Sequence, residues 1–145
     1  MPPTDDEIRA ALTSARTIAV VGLSEKPERD SNEVARYLQG QGYRIVPVNP
    51  MLTEVLGERA YPGVGAIPPE LRVDLVDVFR RSDQVLPVVR ESVRRGGVRT
   101  FWMQLGVEHA EAAAEARAHG IAVFENLCTM AEHRRLHLPP VASSR

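Results

Sequence analysis

The stretch Thr17-Ile-Ala-Val-Val-Gly-Leu-Ser-Glu-Lys-Pro-Glu-Arg-Asp-Ser31 decides the fold. Its first part, Ile18 to Val21, is continuously apolar and rich in β-branched residues, which is typical of a strand buried on both faces of a parallel sheet. Gly22 ends this strand, and a helical pattern begins near Asn32. Because the N–H groups and the dipole at a helix N-terminus attract anions, the order strand, glycine turn, helix predicts a site for a phosphate-bearing ligand.

Strands and helices alternate along the rest of the chain. Further strands are predicted at 44–48, 73–79, 99–105 and 121–124, and helices at 4–15, 32–40, 84–95, 108–119 and 130–136. Such alternation with short connections indicates an α/β fold, a doubly wound five-stranded parallel sheet with flanking helices in three layers. We expect a single domain over residues 1–138 and a disordered tail over residues 139–145.

Several local signals refine this pattern. Thr4 is expected to cap the first helix, and Ser82 is expected to cap the helix at 84–95. Pro47 cannot donate a ladder hydrogen bond, so its strand should lie near an edge of the sheet. Between residues 51 and 71 the pattern is weak, and we expect one helical turn at 53–56 followed by an irregular connection with a short extended piece at 60–61.

Composition excludes several classes of protein. The 145 residues carry a net charge of −1, so no overall field favours nucleic acid or an anionic membrane surface. No apolar run approaches the roughly 20 residues needed to span a bilayer. The single cysteine, Cys128, cannot form an internal disulfide, and the N-terminus lacks the pattern of a signal peptide. We therefore expect a cytoplasmic protein that contacts neither nucleic acid nor membrane.

Phosphate-compatible side chains follow three of the predicted strands. Ligands of doubly wound sheets bind at the carboxyl ends of the strands, near the point where the strand order reverses. One rim of the sheet is therefore expected to be locally basic, although a solvated surface position remains equally open for Arg81. The side chains concerned are Ser24, Lys26, Arg29 and Ser31 after the first strand, Asn49 after the second, and Arg80 and Arg81 after the third.

The known nucleotide fingerprints are missing. The loop Gly22-Leu-Ser-Glu-Lys-Pro27 is not G-x-G-x-x-G, and Asn49-Pro50 supplies no carboxylate for a ribose 2′-hydroxyl. No Walker sequence occurs either. These absences disfavour NAD, FAD and a P-loop nucleotide.

A set of motifs, in order over residues 8 to 136, resembles a known family. They are Val21-Gly-Leu-Ser24, Arg29-Asp-Ser31, Tyr37-Leu38, Gly42-Tyr-Arg-Ile-Val-Pro-Val-Asn-Pro50, Asp74-Leu-Val-Asp-Val-Phe-Arg80, Trp102-Met-Gln-Leu-Gly106 and Cys128 with Glu132-His133. The chain is similar to the stand-alone CoA-binding domain proteins, which are similar in turn to the nucleotide-binding domain of the succinyl-CoA synthetase alpha subunit.

The resemblance implies a Rossmann-like fold that binds coenzyme A. The loop with Ser24, Lys26 and Pro27 would lie against the CoA phosphates, Asn49-Pro50 beside the adenosine, and Val78-Phe79-Arg80 beside the adenine or the pantetheine arm. Met51 stands where the synthetases commonly have a basic residue, with Arg29 or Arg80 as possible substitutes. The expected binding residues are Gly22, Ser24, Lys26, Pro27, Arg29, Ser31, Asn49, Pro50, Val78, Phe79 and Arg80.

The expected function is binding of CoA or an acyl-CoA by a carrier, sensor or regulatory module. The synthetase's phosphorylated histidine belongs to a second domain that this chain lacks, and no catalytic or metal-binding set can be assembled from the sequence. The alternatives are an enzyme that uses Cys128 in CoA-thiol redox chemistry, the CoA-binding part of a split ligase with a partner chain, and a module that has lost its ligand. Structural roles remain open for Cys128 as a small buried residue, for Asp77 as a hydrogen-bond acceptor to a neighbouring loop, and for His133.

Overall fold

A parallel sheet of five strands forms the centre of the computed structural model, which describes residues 2–142. The sheet strands are β1 (Thr17–Val21), β2 (Arg44–Val48), β5 (Leu75–Val78), β6 (Thr100–Met103) and β7 (Ala122–Phe124), and a separate antiparallel hairpin contains β3 (Glu54–Val55) and β4 (Glu58–Arg59). The sheet order is β2-β1-β5-β6-β7, with every neighbouring pair parallel. The predicted doubly wound α/β fold is confirmed.

Helices cover both faces of the sheet. The described helices are α1 (Asp5–Ser14), α2 (Asp30–Gly40), α3 (Val85–Arg95), α4 (Ala110–Ala118) and α5 (Thr129–Arg135), with short 3₁₀ turns at Val64–Ala66 and Ser82–Gln84. Side chains of α1, α2 and α5 pack on one face, and those of α3 and α4 pack on the other. Successive strand residues serve opposite layers, so Phe101 joins one core and Trp102 the other, both fully buried.

The strand order reverses beside β1. The chain runs from β1 outward to β2 and then returns to β5 on the other side of β1. At the carboxyl end, the Gly22 N–H donates to Val48 O at 2.8 Å and the Phe79 N–H donates to Val21 O at 2.8 Å. The three strand ends are thus fixed together at the place where doubly wound folds bind ligands.

The helical turn predicted at 53–56 is wrong, because this segment forms the β3–β4 hairpin. Leu56 and Gly57 form its two-residue turn with φ angles of 56° and 75°. Two successive positive φ angles produce the type I′ turn that matches the twist of a hairpin, and Leu56 is not a residue that usually signals it. The extended piece at 60–61 is confirmed, since Tyr61 forms a parallel bridge with Val48.

Other local predictions have mixed outcomes. Thr4 and Glu7 form the expected capping box of α1. Pro47 lies in the edge strand β2, as expected, and its carbonyl accepts the Tyr61 N–H at 3.0 Å on the outer side. The prediction that Ser82 caps α3 is wrong, because its hydroxyl instead accepts the Glu108 N–H at 2.9 Å.

The start of the predicted tail contacts the fold. The Val141 N–H donates to Gln41 O at 2.8 Å, and the Val141 side chain packs against the core that contains α1 and α2. Residues 143–145 of the predicted tail lie outside the described residues. Within residues 2–142, no helix is long and apolar enough to cross a membrane.

Gly22 should tolerate no side chain. Its φ angle is +87°, and a Cβ atom there would lie 2.6 Å from Phe79 O. A left-handed conformation costs an L-residue about 1–2 kcal/mol before any overlap is counted. We expect Gly22→Ala to lower the free energy of unfolding by at least about 2 kcal/mol in urea denaturation.

Gly40→Ala is the matched control for this substitution. Gly40 is in α2, and a Cβ there meets nothing within 4 Å. Alanine at such a site leaves stability unchanged or raises it by about 0.5–1 kcal/mol. Equal stability of the two alanine variants would show that the conformation of Gly22 is not a constraint.

Candidate functional site

The loop between β1 and α2 is held in place by its own polar side chains. The Ser24 N–H donates to Ser31 Oγ at 3.0 Å, and the Lys26 N–H donates to Ser24 Oγ at 3.1 Å. Asn32 Nδ2 donates to Ser24 O at 2.8 Å. The loop therefore folds back over the first turn of α2, where the leading N–H groups precede the first intrahelical hydrogen bond.

A cleft opens between this loop and the end of β5. We call it the first cleft, and its volume is about 410 Å³. Six of the expected binding residues line it together, which places the predicted phosphate loop and Phe79 around one space. The lining residues are Gly22, Ser24, Lys26, Glu28, Arg29, Asp30, Ser31 and Phe79.

The first cleft has a balanced charge, which corrects the expectation of a basic rim. Lys26 and Arg29 bring two positive charges, whereas Glu28 and Asp30 bring two negative charges. Arg81 is exposed and lies 3.4 Å from Asp83, so the surface alternative for that residue is the one observed. Any preference for an anion here depends on the direction of individual donors.

Asn49 and Pro50 lie outside the first cleft. Asn49 Nδ2 donates to Leu23 O at 3.0 Å, and its Oδ1 accepts the Met51 N–H at 2.8 Å. The side chain of Asn49 thus joins the carboxyl ends of β1 and β2. Pro50 lines a different groove, together with Leu52 of the β2–β3 connection.

Three other expected binding residues are also outside the lining of the first cleft. The side chain of Val78 is fully buried in the core formed with α3 and α4 and lines neither this cleft nor the second one described below. Strand alternation sends this side chain into the helix layer. Arg80 is half-buried, and Pro27 is exposed with its carbonyl accepting a hydrogen bond from Arg36 Nη2 at 2.8 Å.

A second cleft, mostly apolar, adjoins the first. It shares Asp30 and Phe79 with the first cleft and has a volume of about 310 Å³. Leu105 is 67% exposed at its mouth. Gln104 and Leu105 belong to a motif of the family resemblance that implied no role for them, and no signal in the sequence pointed to Met130 as a cleft residue. The lining residues are Asp30, Glu33, Val34, Phe79, Gln104, Leu105, Cys128, Met130 and Ala131.

A hydrogen-bonded chain runs from the second cleft into the core. Gln104 Nε2 lies 3.7 Å from Cys128 Sγ, and Gln104 Oε1 accepts the Thr129 N–H at 2.9 Å. The Thr129 hydroxyl donates to Asp77 Oδ2 at 3.0 Å. Asp77 was expected to accept a hydrogen bond from a neighbouring loop; it does accept one, but the donor, Thr129, is the first residue of helix α5.

Burial determines the protonation states of Asp77 and Cys128. Asp77 is fully buried, and desolvation raises its pKa to about 8 against the opposing hydrogen bond from Thr129. Burial also raises the pKa of the Cys128 thiol, although the N–H groups of Ala131 and Met130 oppose this shift. Both groups are therefore held in their neutral forms at neutral pH.

His133 has a structural position inside the protein. Its side chain is buried, its Nδ1 lies 2.8 Å from Tyr37 Oη, and burial lowers its pKa. Its ring also lies edge-on to Tyr43. Among residues 2–142, no group of three or more His, Cys, Asp or Glu side chains is arranged to hold a metal ion.

Comparison with known proteins agrees with this geometry. A family model described as a CoA binding domain matches residues 16–134, which include both clefts. The chain belongs to the CoA-binding domain family. The matched region contains every strand of the sheet and helices α2 to α4 complete.

Relatives of this CoA-binding domain protein include both small and large proteins. It is 39% identical over 131 residues to the uncharacterized protein YneT of Bacillus subtilis (strain 168), covering 90% of this chain and 95% of YneT. A hypothetical protein from Pyrococcus horikoshii OT3 is 38% identical, with a TM-score of 0.89 over 94% of this chain and 96% of that one. The apo form of the dinucleotide-forming acetyl-coenzyme A synthetase 1 of Ca. Korarchaeum cryptofilum is 27% identical, with a TM-score of 0.66 over 77% of this chain and 26% of that one.

The buried Asp77 should make stability depend on pH. An unfolded carboxyl ionises near 3.8, whereas the folded one does so near 8, so the unfolded state releases its proton first. The free energy of unfolding should therefore fall as pH rises through this window. Asp77→Asn has no carboxyl group to ionise, so its free energy of unfolding should not fall in this way. The difference in free energy of unfolding between Asp77→Asn and wild type should therefore shift in favour of the variant by at least about 1 kcal/mol between pH 5 and pH 8.

Urea denaturation at several pH values between 5 and 8 measures this difference. The exposed Asp83→Asn variant is the control, because it removes a surface carboxyl, and it should follow the wild-type curve. If Asp77→Asn also followed the wild-type curve, the raised pKa would be contradicted.

Proposed function

We propose that this protein binds coenzyme A or an acyl-CoA as a non-catalytic carrier, sensor or regulatory module. The phosphates would occupy the first cleft, and the pantetheine arm would extend into the second. One observation carries the proposal. In a chain of the CoA-binding domain family, the first cleft, beside the loop between β1 and α2, adjoins an apolar second cleft, and Phe79 lines both.

The donors of the first cleft fit the phosphates of CoA. The ligand presents a pyrophosphate and a 3′-phosphate, and the cleft offers hydroxyls, an ammonium, a guanidinium and the start of α2. Glu28 and Asp30 reduce the attraction for anions in general. Affinity should therefore depend on donors at fixed positions, so the cleft should bind ligands whose phosphates match those positions more tightly than other anions.

The end of β2 supports CoA over NAD. Asn49 occupies the position where a dinucleotide fold would place a carboxylate for the ribose, and its side chain is already bonded to two backbone groups. A carboxylate there would repel the 3′-phosphate of CoA. Its absence is therefore compatible with CoA.

The state of Cys128 supports a binding role. A thiol reacts as its thiolate, and burial works against ionisation of Cys128. The redox alternative predicts CoA disulfide formation that is lost in Cys128→Ser. A binding role predicts instead that the wild-type protein forms no CoA disulfide and that Cys128→Ser still binds CoA.

A second candidate is a CoA-binding module that works with a partner chain. The match with the acetyl-coenzyme A synthetase covers 77% of this chain and 26% of the synthetase chain, so most of the synthetase has no counterpart in the matched region. A catalytic partner would supply the missing parts. Co-purification of this protein with a larger chain of the ATP-grasp class would favour this candidate, and the partner would be expected to require CoA binding by this chain.

Lys26 and Arg29 are the charged donors of the first cleft, and their removal tests the proposal. Each charge-assisted hydrogen bond to a phosphate contributes about 1.5–3 kcal/mol. Allowing for the exposure of both side chains, we expect Lys26→Ala with Arg29→Ala to weaken CoA binding by about 1–3 kcal/mol in isothermal titration.

Arg9→Ala with Arg94→Ala is the matched control. It removes the same net charge from residues outside both clefts, and its affinity for CoA should equal that of the wild type. Titrations with dephospho-CoA and NAD complete the set, with weaker binding expected for each. Binding of NAD without any response to CoA would refute the proposal.

A further inference from the structure

The lining of the second cleft would determine which acyl groups the thiol end of a CoA ligand can carry. This inference rests on the proposed function: phosphates in the first cleft direct the thiol end of a CoA ligand through the boundary formed by Asp30 and Phe79. An acyl group on that thiol would then lie among the residues of the second cleft.

The second cleft is apolar with a negative edge. Val34, Phe79, Leu105, Met130 and Ala131 supply hydrocarbon and thioether surface, and Cys128 adds a half-buried thiol. The charged residues of its lining are Asp30 and Glu33, both carboxylates, and the lining includes no lysine, arginine or histidine. A ligand group that carries a negative charge would meet like charges and no cation.

The N–H groups of Met130 and Ala131 and one N–H of the Gln104 carboxamide are already directed at the Cys128 sulfur. The Gln104 carboxamide accepts the Thr129 N–H with its oxygen and directs its nitrogen to the same sulfur. A carboxylate entering the cleft would lose water without gaining these donors, which is unfavourable.

We infer that this site selects CoA thioesters with uncharged, apolar acyl groups and rejects those whose acyl group ends in a carboxylate. Each methylene group that is buried against the apolar lining makes binding more favourable, and the carboxylates of Asp30 and Glu33 repel a carboxylate of the ligand. Selection of this kind combines an attractive element with a repulsive one, and both are present in the same lining.

Butyryl-CoA and succinyl-CoA form a matched pair of probes, because both carry four acyl carbons and differ in a terminal methyl against a terminal carboxylate. Isothermal titration of the wild-type protein at neutral pH and low salt should show butyryl-CoA binding at least about tenfold more tightly. Equal affinities, or tighter binding of succinyl-CoA, would overturn the inference.

Glu33→Gln tests the repulsive element directly. Glu33 is an exposed residue of α2. Its neutral variant should reduce the gap, meaning the ratio of the affinities for butyryl-CoA and succinyl-CoA, by about threefold, mainly by improving the affinity for succinyl-CoA. Glu70→Gln removes a carboxylate from an exposed position outside both clefts and should leave the gap unchanged. A gap that persists unaltered in Glu33→Gln would overturn the assignment of the repulsion to this lining.

Free CoA separates the inference from the proposed function. If CoA and both thioesters fail to bind, the proposed function is refuted and the inference falls with it. If CoA binds and the two thioesters bind equally, the proposed function stands and only the acyl selectivity is refuted. Thermal denaturation of each variant confirms that it is folded before titration.

Discussion

The positive φ angle of Gly22 is the constraint on which the candidate site depends. At this residue the chain leaves β1 so near to Phe79 that an added Cβ atom would lie 2.6 Å from Phe79 O, while the Gly22 N–H donates to Val48 O. A side chain would separate β1 from β5 at this end of the sheet. Because no Cβ is present, the loop can turn over the first turn of α2, and the first cleft lies between that loop and Phe79.

Under the proposed function, the two clefts would bind the ligand through different kinds of interaction. The first cleft has charges of both signs and hydroxyls held by the loop, so a ligand there would be recognised through the direction of its hydrogen bonds. The second has an apolar lining, whose contribution grows with the hydrocarbon area that a ligand buries. A molecule with a phosphate end and a long, mostly apolar arm satisfies both.

Much of the fold could be predicted from the sequence, because the strands are continuous apolar runs and the helices have caps and glycine ends. The hairpin at 54–59 could not, since its turn places Leu56 at a positive φ angle that leucine rarely adopts. The loop between β1 and α2 was predictable from one segment. The second cleft was not, because Val34, Leu105 and Met130 come together only through the packing of α2, α5 and the end of β6, and each alone reads as an ordinary apolar residue. The family resemblance indicated the segment Val78-Phe79-Arg80 as a whole, whereas strand alternation decides which of its side chains face a cleft, and that of Val78 faces the core.

The most direct test of the whole account is a crystal structure of this protein with CoA bound. The account predicts the pyrophosphate within hydrogen-bond distance of the loop between Ser24 and Ser31, and the thiol end in the second cleft near Cys128. CoA bound elsewhere on the surface, or phosphates that make no contact with this loop, would contradict it.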